Sequence, residues 1–261
     1  MKGILEEIHR RHYILSISGW VFVLLGLAFA VGILVDDREL LGINLWIKPL
    51  KFALSIAIFL WTMGWVIYEA KMKHHPRYVL GWLFIVFMVI EIALIALQSY
   101  RGETSHFNNS TLFNARLYTI MGFAIGFNTL TIAFLAMVFF SKKFVLPMPY
   151  LWAIRLGLIV LVLGSLEGVL IVRNYAHTVG APDGGPGLPF LNWSTTHGDL
   201  RIAHFLGIHA LQAFMIVGVW LGHTKLPKRR ATVVLVLFAL AYTAVVAATF
   251  YQAMNEQPLL G

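Results

Sequence analysis

Four ionisable residues, Glu91, Glu167, His204 and His209, stand inside long apolar stretches of this chain. In a membrane helix such residues are informative, because turning them toward lipid is costly and they usually meet a partner or a wet cavity. Counted at 1.5 Å per residue, Glu91 lies roughly 12 Å and Glu167 roughly 9 Å inside the ends of their stretches, with both histidines at comparable depth. Imidazole nitrogen and carboxylate oxygen suit zinc, iron or manganese, so the four are candidate metal ligands if their helices adjoin. A transition metal such as zinc or iron is the cofactor this reading expects. The spacing limits it: His204 and His209 are five residues apart, diverge by about 140° around a helix, and cannot make the compact pair of an HExxH helix. The same groups also suit proton exchange once burial or charge partners tune them, as in intramembrane relays and proton-coupled carriers.

A second set could bind rather than react. Lys48, Lys51, Gln98, Arg101, His106, Asn108, Arg116, Arg201 and Gln212 fall toward the same ends of the apolar stretches. Guanidinium forks match phosphate or carboxylate, so an anionic lipid headgroup, or a small apolar ligand held beneath it, is the expected partner. On a helical wheel His204, Arg201, Gln212 and His209 sit at about 0°, 60°, 80° and 140°, one polar arc, and Glu91 shares a face with Gln98. Plainer roles compete. Asp199 precedes an apolar run, where an N-cap is the simplest function. Lys48 and Lys51 can snorkel to headgroups, and Gly122 and Gly126 form the GxxxG pattern of helix packing. Internal pairing with nearby acids would also occupy these cations.

The elements that must position these residues follow from composition. The chain has 261 residues, 59% hydrophobic and only 12% charged, against about 25% charged in soluble domains. Apolar stretches run approximately 13–35, 45–69, 79–99, 112–140, 150–173, 199–222 and 231–253, each near the 20 residues a helix needs to cross a hydrocarbon core. The expectation is one all-α transmembrane domain over 1–261, a polytopic seven-helix bundle, with a bilayer as its environment and no room for a soluble catalytic domain.

Orientation follows from the basic residues, which are retained on the cytoplasmic side. Lys2, Arg10 and Arg11, then Lys71, Lys73 and Arg77, then Lys142 and Lys143, then Lys225, Lys228, Arg229 and Arg230 share one side. This places the N-terminus inside and the C-terminus outside. The net charge of +8 is thus topological, and nucleic-acid binding is not expected. There is no cysteine, which removes thiolate ligands, disulfides and cysteine nucleophiles. The one long connection, 173–198, holds Gly184, Gly185, Pro186, Gly187 and Pro189. Its turn residues suggest a shaped cap over an outer cavity, a flexible linker being the alternative.

The segments WIKPLKF (46–52), QSYRGETSHFN (98–108) and DGGPGLPFLNWSTTHGDLRIAHFLGIHALQ (183–212) resemble an uncharacterised family of seven-span bacterial membrane proteins. The resemblance implies a bacterial cytoplasmic (inner) membrane setting and no activity. Other seven-span families fit less well: the last span has no lysine for a retinal Schiff base, and no HxxxH stands near it. The functional expectation is a membrane enzyme, metal-dependent, acting on a lipid or small apolar substrate. The alternatives are a proton-coupled transporter or small-ligand receptor using the same polar cavity, or a structural subunit of a membrane complex.

Overall fold

The computed structural model describes residues 3–259; Lys2, counted above among the basic residues, lies outside them. Among the described residues seven helices are long and apolar enough to cross a membrane, and the only regular strands are two-residue pairs. The fold class is the expected one, all-α with seven spans. Large apolar side chains are exposed along these helices, Leu24, Leu27, Phe123, Leu130, Leu163, Ile216 and Leu240 among them. Such surface is far beyond what a water-soluble monomer presents, and suits acyl chains.

Contacts divide the chain into two compact units, Met1–Thr131 and Ile132–Gly261. The first holds α1 (Ile4–Arg11), α2 (Tyr13–Val35), β1 (Glu39–Leu40), β2 (Ile43–Asn44), α3 (Ile47–Glu69) and α4 (His74–Arg101). Helix α5 (Leu112–Ser141) begins in it and continues into the second unit. His12 separates α1 from α2: its extended backbone breaks the helix, and its Nδ1 accepts the N–H of Leu15 at 3.4 Å as an N-cap. Gly64 lies against the His12 Cβ, and Gly81 makes room for the ring. A Cβ on Gly81 would lie 2.6 Å from His12 Cε1. Helix α2 meets α3 closely because Gly19 faces Trp61, whose indole N–H donates to the carbonyl of Ser16 at 3.1 Å. Leu15, Leu60, Met63, Ile67, Phe84 and Ile95 are fully enclosed.

The second unit contains α6 (Met148–Asn174), β3 (Thr178–Val179), β4 (Gly198–Asp199), α7 (Leu200–Gly222) and α8 (Lys228–Met254). Helices α6 and α7 approach through paired glycines. A Cβ on Gly164 would stand 2.6 Å from the backbone of Gly207, and one on Gly157 would stand 2.8 Å from Leu211 Cα. Without side chains at these places the two backbones touch, which supplies dispersion contact where lipid removes most of the hydrophobic drive. The GxxxG pair Gly122 and Gly126, by contrast, meets nothing within 4 Å and lies open on α5. The packing role expected of that motif falls instead to Gly157, Gly164 and Gly207. Helix α8 completes the unit, with Phe214 of α7 edge-on to Phe238 and Tyr242 at 5.8 and 5.3 Å. The Tyr242 hydroxyl donates to the carbonyl of Leu206 at 2.8 Å.

Candidate functional site

In the first unit the polar residues gather where α4 ends. Gly102 takes a left-handed φ of 72°, and the N–H of Glu103 returns to the carbonyl of Gln98 at 2.9 Å, a glycine-closed helix end. Gln98 is buried. Its amide nitrogen donates to Thr104 O and Asn114 Oδ1, both at 3.2 Å, and its Oε1 accepts from Arg101. Arg101 Nη1 also donates to Asn114 Oδ1 at 2.8 Å, with the guanidinium 4.8 Å from the Phe113 ring centre. Asn108 donates to Glu103 Oε2 at 3.0 Å and Thr104 O at 3.1 Å, and accepts from the Ser110 hydroxyl at 2.6 Å.

His106 lies 3.3 Å from Lys48 Nζ and 3.0 Å from Ser105 Oγ, both measured to its Nδ1. An ammonium only donates, so Nδ1 is the acceptor and the ring proton sits on Nε2. Five of the candidate ligand residues, Lys48, Gln98, Arg101, His106 and Asn108, are therefore tied into the junction of α3, α4 and the 102–111 connection. Lys51 is half-buried on α3 and Arg116 is exposed on α5. Ten residues back along α4 from Arg101, Glu91 is 5% exposed. Its Oε1 is buried and bonds no donor. Lys48 is the cation whose charge reaches it.

In the second unit the expected arc on α7 divides among different partners. His204 Nδ1 lies 2.9 Å from the carbonyl oxygen of Gly164, and the ring also lies beside Gly168, one turn on, where even a Cβ would only touch it at 3.4 Å. Glu167, between those glycines on α6, is 8% exposed, and its Oε1 is buried without a donor. Gln212 Oε1 is likewise buried and unpaired. His209 packs on the Phe205 ring at 4.6 Å. Arg201 turns away toward Asp199, with Nε to Oδ1 at 2.9 Å and Nη2 to Oδ2 at 2.6 Å, and it also reaches the carbonyl of Asn192. Asp199 is thus both the expected N-cap, accepting Arg201 N–H at 3.0 Å, and the partner that occupies Arg201.

The connection between α6 and α7 has structure of its own. Thr178 pairs with Asp199 and Val179 with Gly198 across β3 and β4, and Gly187 bridges Ser194. Asp183 organises its start: the carboxylate accepts the backbone N–H groups of His177 and Thr178 at 3.0 and 2.9 Å and the His177 ring N–H at 2.6 Å. Burial alone would raise the Asp183 carboxyl, but these donors outweigh it and hold the group well below the usual carboxylate range. The segment also leans on the end of α8. Gly180, at φ +87°, faces the Glu256 side chain, and Gly198 abuts the carbonyl of Ala253. A cleft of about 20 Å³ lies among Thr178, Pro182, Asn192, Ser194, His197 and Arg201. That is room for about one water, far too little for a lipid headgroup.

The metal expectation finds no support in this arrangement. Among the described residues no group of three or more His, Asp or Glu side chains is placed to hold a metal ion. Asn114, Ser105 and the His177–Asp183 pair join the polar sites with little in the sequence to mark them; only Asp183-Gly184, a turn dipeptide, carries a local signal. No family model, curated relative or solved structure matches the chain.

Proposed function

We propose that this integral membrane protein is a proton-coupled carrier of a small ligand, with Glu91 and Glu167 as its proton-bearing groups. One observation carries the reading: each carboxyl is more than nine-tenths buried within a span and has an oxygen that meets no donor. An orphaned polar atom in such surroundings costs about 1–3 kcal/mol, and intramembrane acids retained at that cost mark proton or substrate pathways. The polar junction around Lys48 and His106 is then a ligand-facing part. The metal-dependent enzyme has no comparable observation behind it. We place the N-terminus inside and the C-terminus outside a bacterial cytoplasmic membrane, on the distribution of Lys and Arg.

The test uses proteoliposomes enclosing a pH-sensitive dye and challenged with panels of small organic solutes. A solute that drives proton uptake in the wild type, with uptake reduced at least tenfold in Glu91→Gln and Glu167→Gln, supports the carrier. Infrared spectra of the wild type that show no titrating buried-carboxyl band removed by these substitutions overturn it.

A further inference from the structure

At the opposite end of the first unit, where α3 passes into α4, cations collect around one aromatic ring. Arg10, Arg11, Lys71 and Arg77 stand 5.4, 4.7, 4.5 and 5.4 Å from the centre of Tyr68, and Arg11 also covers Trp65 at 4.0 Å. Two carboxylates serve this group, and both are committed to α1. Glu7 takes Arg10 at 2.6 Å and Arg11 at 2.7 Å, and Glu69 takes Arg11. The bonds from Arg10 and Arg11 hold the Glu7 carboxyl down to about 2. Lys71, Lys73 and Arg77 form no ion pair among the described residues. Arg77 Nε is buried and donates to nothing.

The backbone adds donors at the same place. Helix α4 starts after Lys73 with no side-chain cap, so its first N–H groups are unpaired by side chains and its dipole favours an anion there. Alongside lies α1, packed on α2 and α3 yet exposing Ile4 and Leu5 at 69% and 48%. Exposed apolar side chains beside a basic surface are the pattern of a helix lying in the membrane interface, which is where phospholipid phosphates are found.

We propose that Lys71, Lys73 and Arg77, with the start of α4, bind the phosphate of an anionic membrane phospholipid. The cation–π contacts to Tyr68 orient Lys71 and Arg77, the Arg11–Glu69 ion pair keeps α1 beside them, and the headgroup meets the two ammonium groups and the guanidinium fork of Arg77. A lipid rather than a soluble phosphate is the occupant because the site borders exposed apolar surface.

Purified protein in detergent is titrated with fluorescent phosphatidylglycerol, fluorescent phosphatidylcholine and, as competitor, inorganic phosphate. Phosphatidylglycerol should bind at least tenfold tighter than phosphatidylcholine. The preference should fall at least tenfold in Lys71→Gln/Arg77→Gln and persist in Lys142→Gln/Lys143→Gln, which removes equal charge from a different connection. Arg77→Lys, which keeps the charge but loses the guanidinium fork, should fall in between and controls for folding. Equal binding of both lipids, an unaffected Lys71→Gln/Arg77→Gln variant, an equal loss in Lys142→Gln/Lys143→Gln, or displacement by phosphate at equal concentration would each overturn the site.

Discussion

His204 on α7 gives its Nδ1 proton to the carbonyl oxygen of Gly164 on α6, 2.9 Å away, where Gly164 also faces the Gly207 backbone. A carbonyl can only accept, which assigns the proton to Nδ1. Interhelical hydrogen bonds within membranes contribute about 0.6 kcal/mol on average. His204→Phe, which keeps the ring but not the bond, should therefore lower stability by about 0.5–1.5 kcal/mol. Unfolding in mixed detergent micelles measures this; an unchanged midpoint would show that the bond carries no net stability.

Steric contact should matter more than that bond. Gly164→Ala drives a methyl into the Gly207 backbone at 2.6 Å, and no flexible side chain is there to move aside. A loss of about 1–3 kcal/mol is expected. Gly122→Ala and Gly126→Ala, with nothing within 4 Å, should stay within about 0.5 kcal/mol of wild type. The same unfolding assay ranks all three.

Asp183 predicts a pH dependence with a definite sign. Its carboxyl is depressed in the folded protein from an ordinary value of 3.8, so its contribution is complete above that value and fades as pH falls below it toward the folded value. Asp183→Asn leaves the His177 and Thr178 donors poorly served, a cost of about 1–3 kcal/mol. Protease nicking within 181–190 should be faster in the variant at pH 7. The gap between variant and wild type should narrow below about pH 4. A gap that widens on acidification would contradict the assignment.

Topology is tested by reporter fusions. Those at Lys143 and Lys228 should read cytoplasmic and one after Gly261 extracytoplasmic, because Lys and Arg cluster in alternate connections. A cytoplasmic C-terminus would be incompatible with seven spans entered from an inside N-terminus.

The spans are legible in the sequence to within a few residues because an uninterrupted run near 20 apolar residues matches the hydrocarbon thickness of a bilayer. Helix α1 is not, since Ile4, Leu5 and Ile8 do share one helical face but eight residues fall short of the window over which such a period can be told from chance. The tight pairing of α6 with α7 is legible only in part: Gly164 and Gly168 make a GxxxG on α6, yet nothing in the sequence ranks it above Gly122 and Gly126, which make the same pattern and lie open. For the candidate site, depth can be counted at 1.5 Å per residue, and because an acid at that depth turns from lipid, the burial of Glu91 and Glu167 is foreseeable. Partners cannot be counted, because they depend on how each helix turns about its axis. Arg201 illustrates this, lying on the same arc as His204 yet bonding Asp199 instead.

The clasp of Gly180 and Gly198 against Glu256 and Ala253 also sets an order of events during synthesis. The 175–199 segment leaves the ribosome well before the end of α8, yet two of its contacts belong to residues made only as that helix is completed. Until α8 is inserted, β3 and β4 have each other but no wall to rest on. A chain stopped before Ala253 would carry a connection that is translated but not closed, and the end of α8 acts as the latch for glycines made 55 and 76 residues earlier.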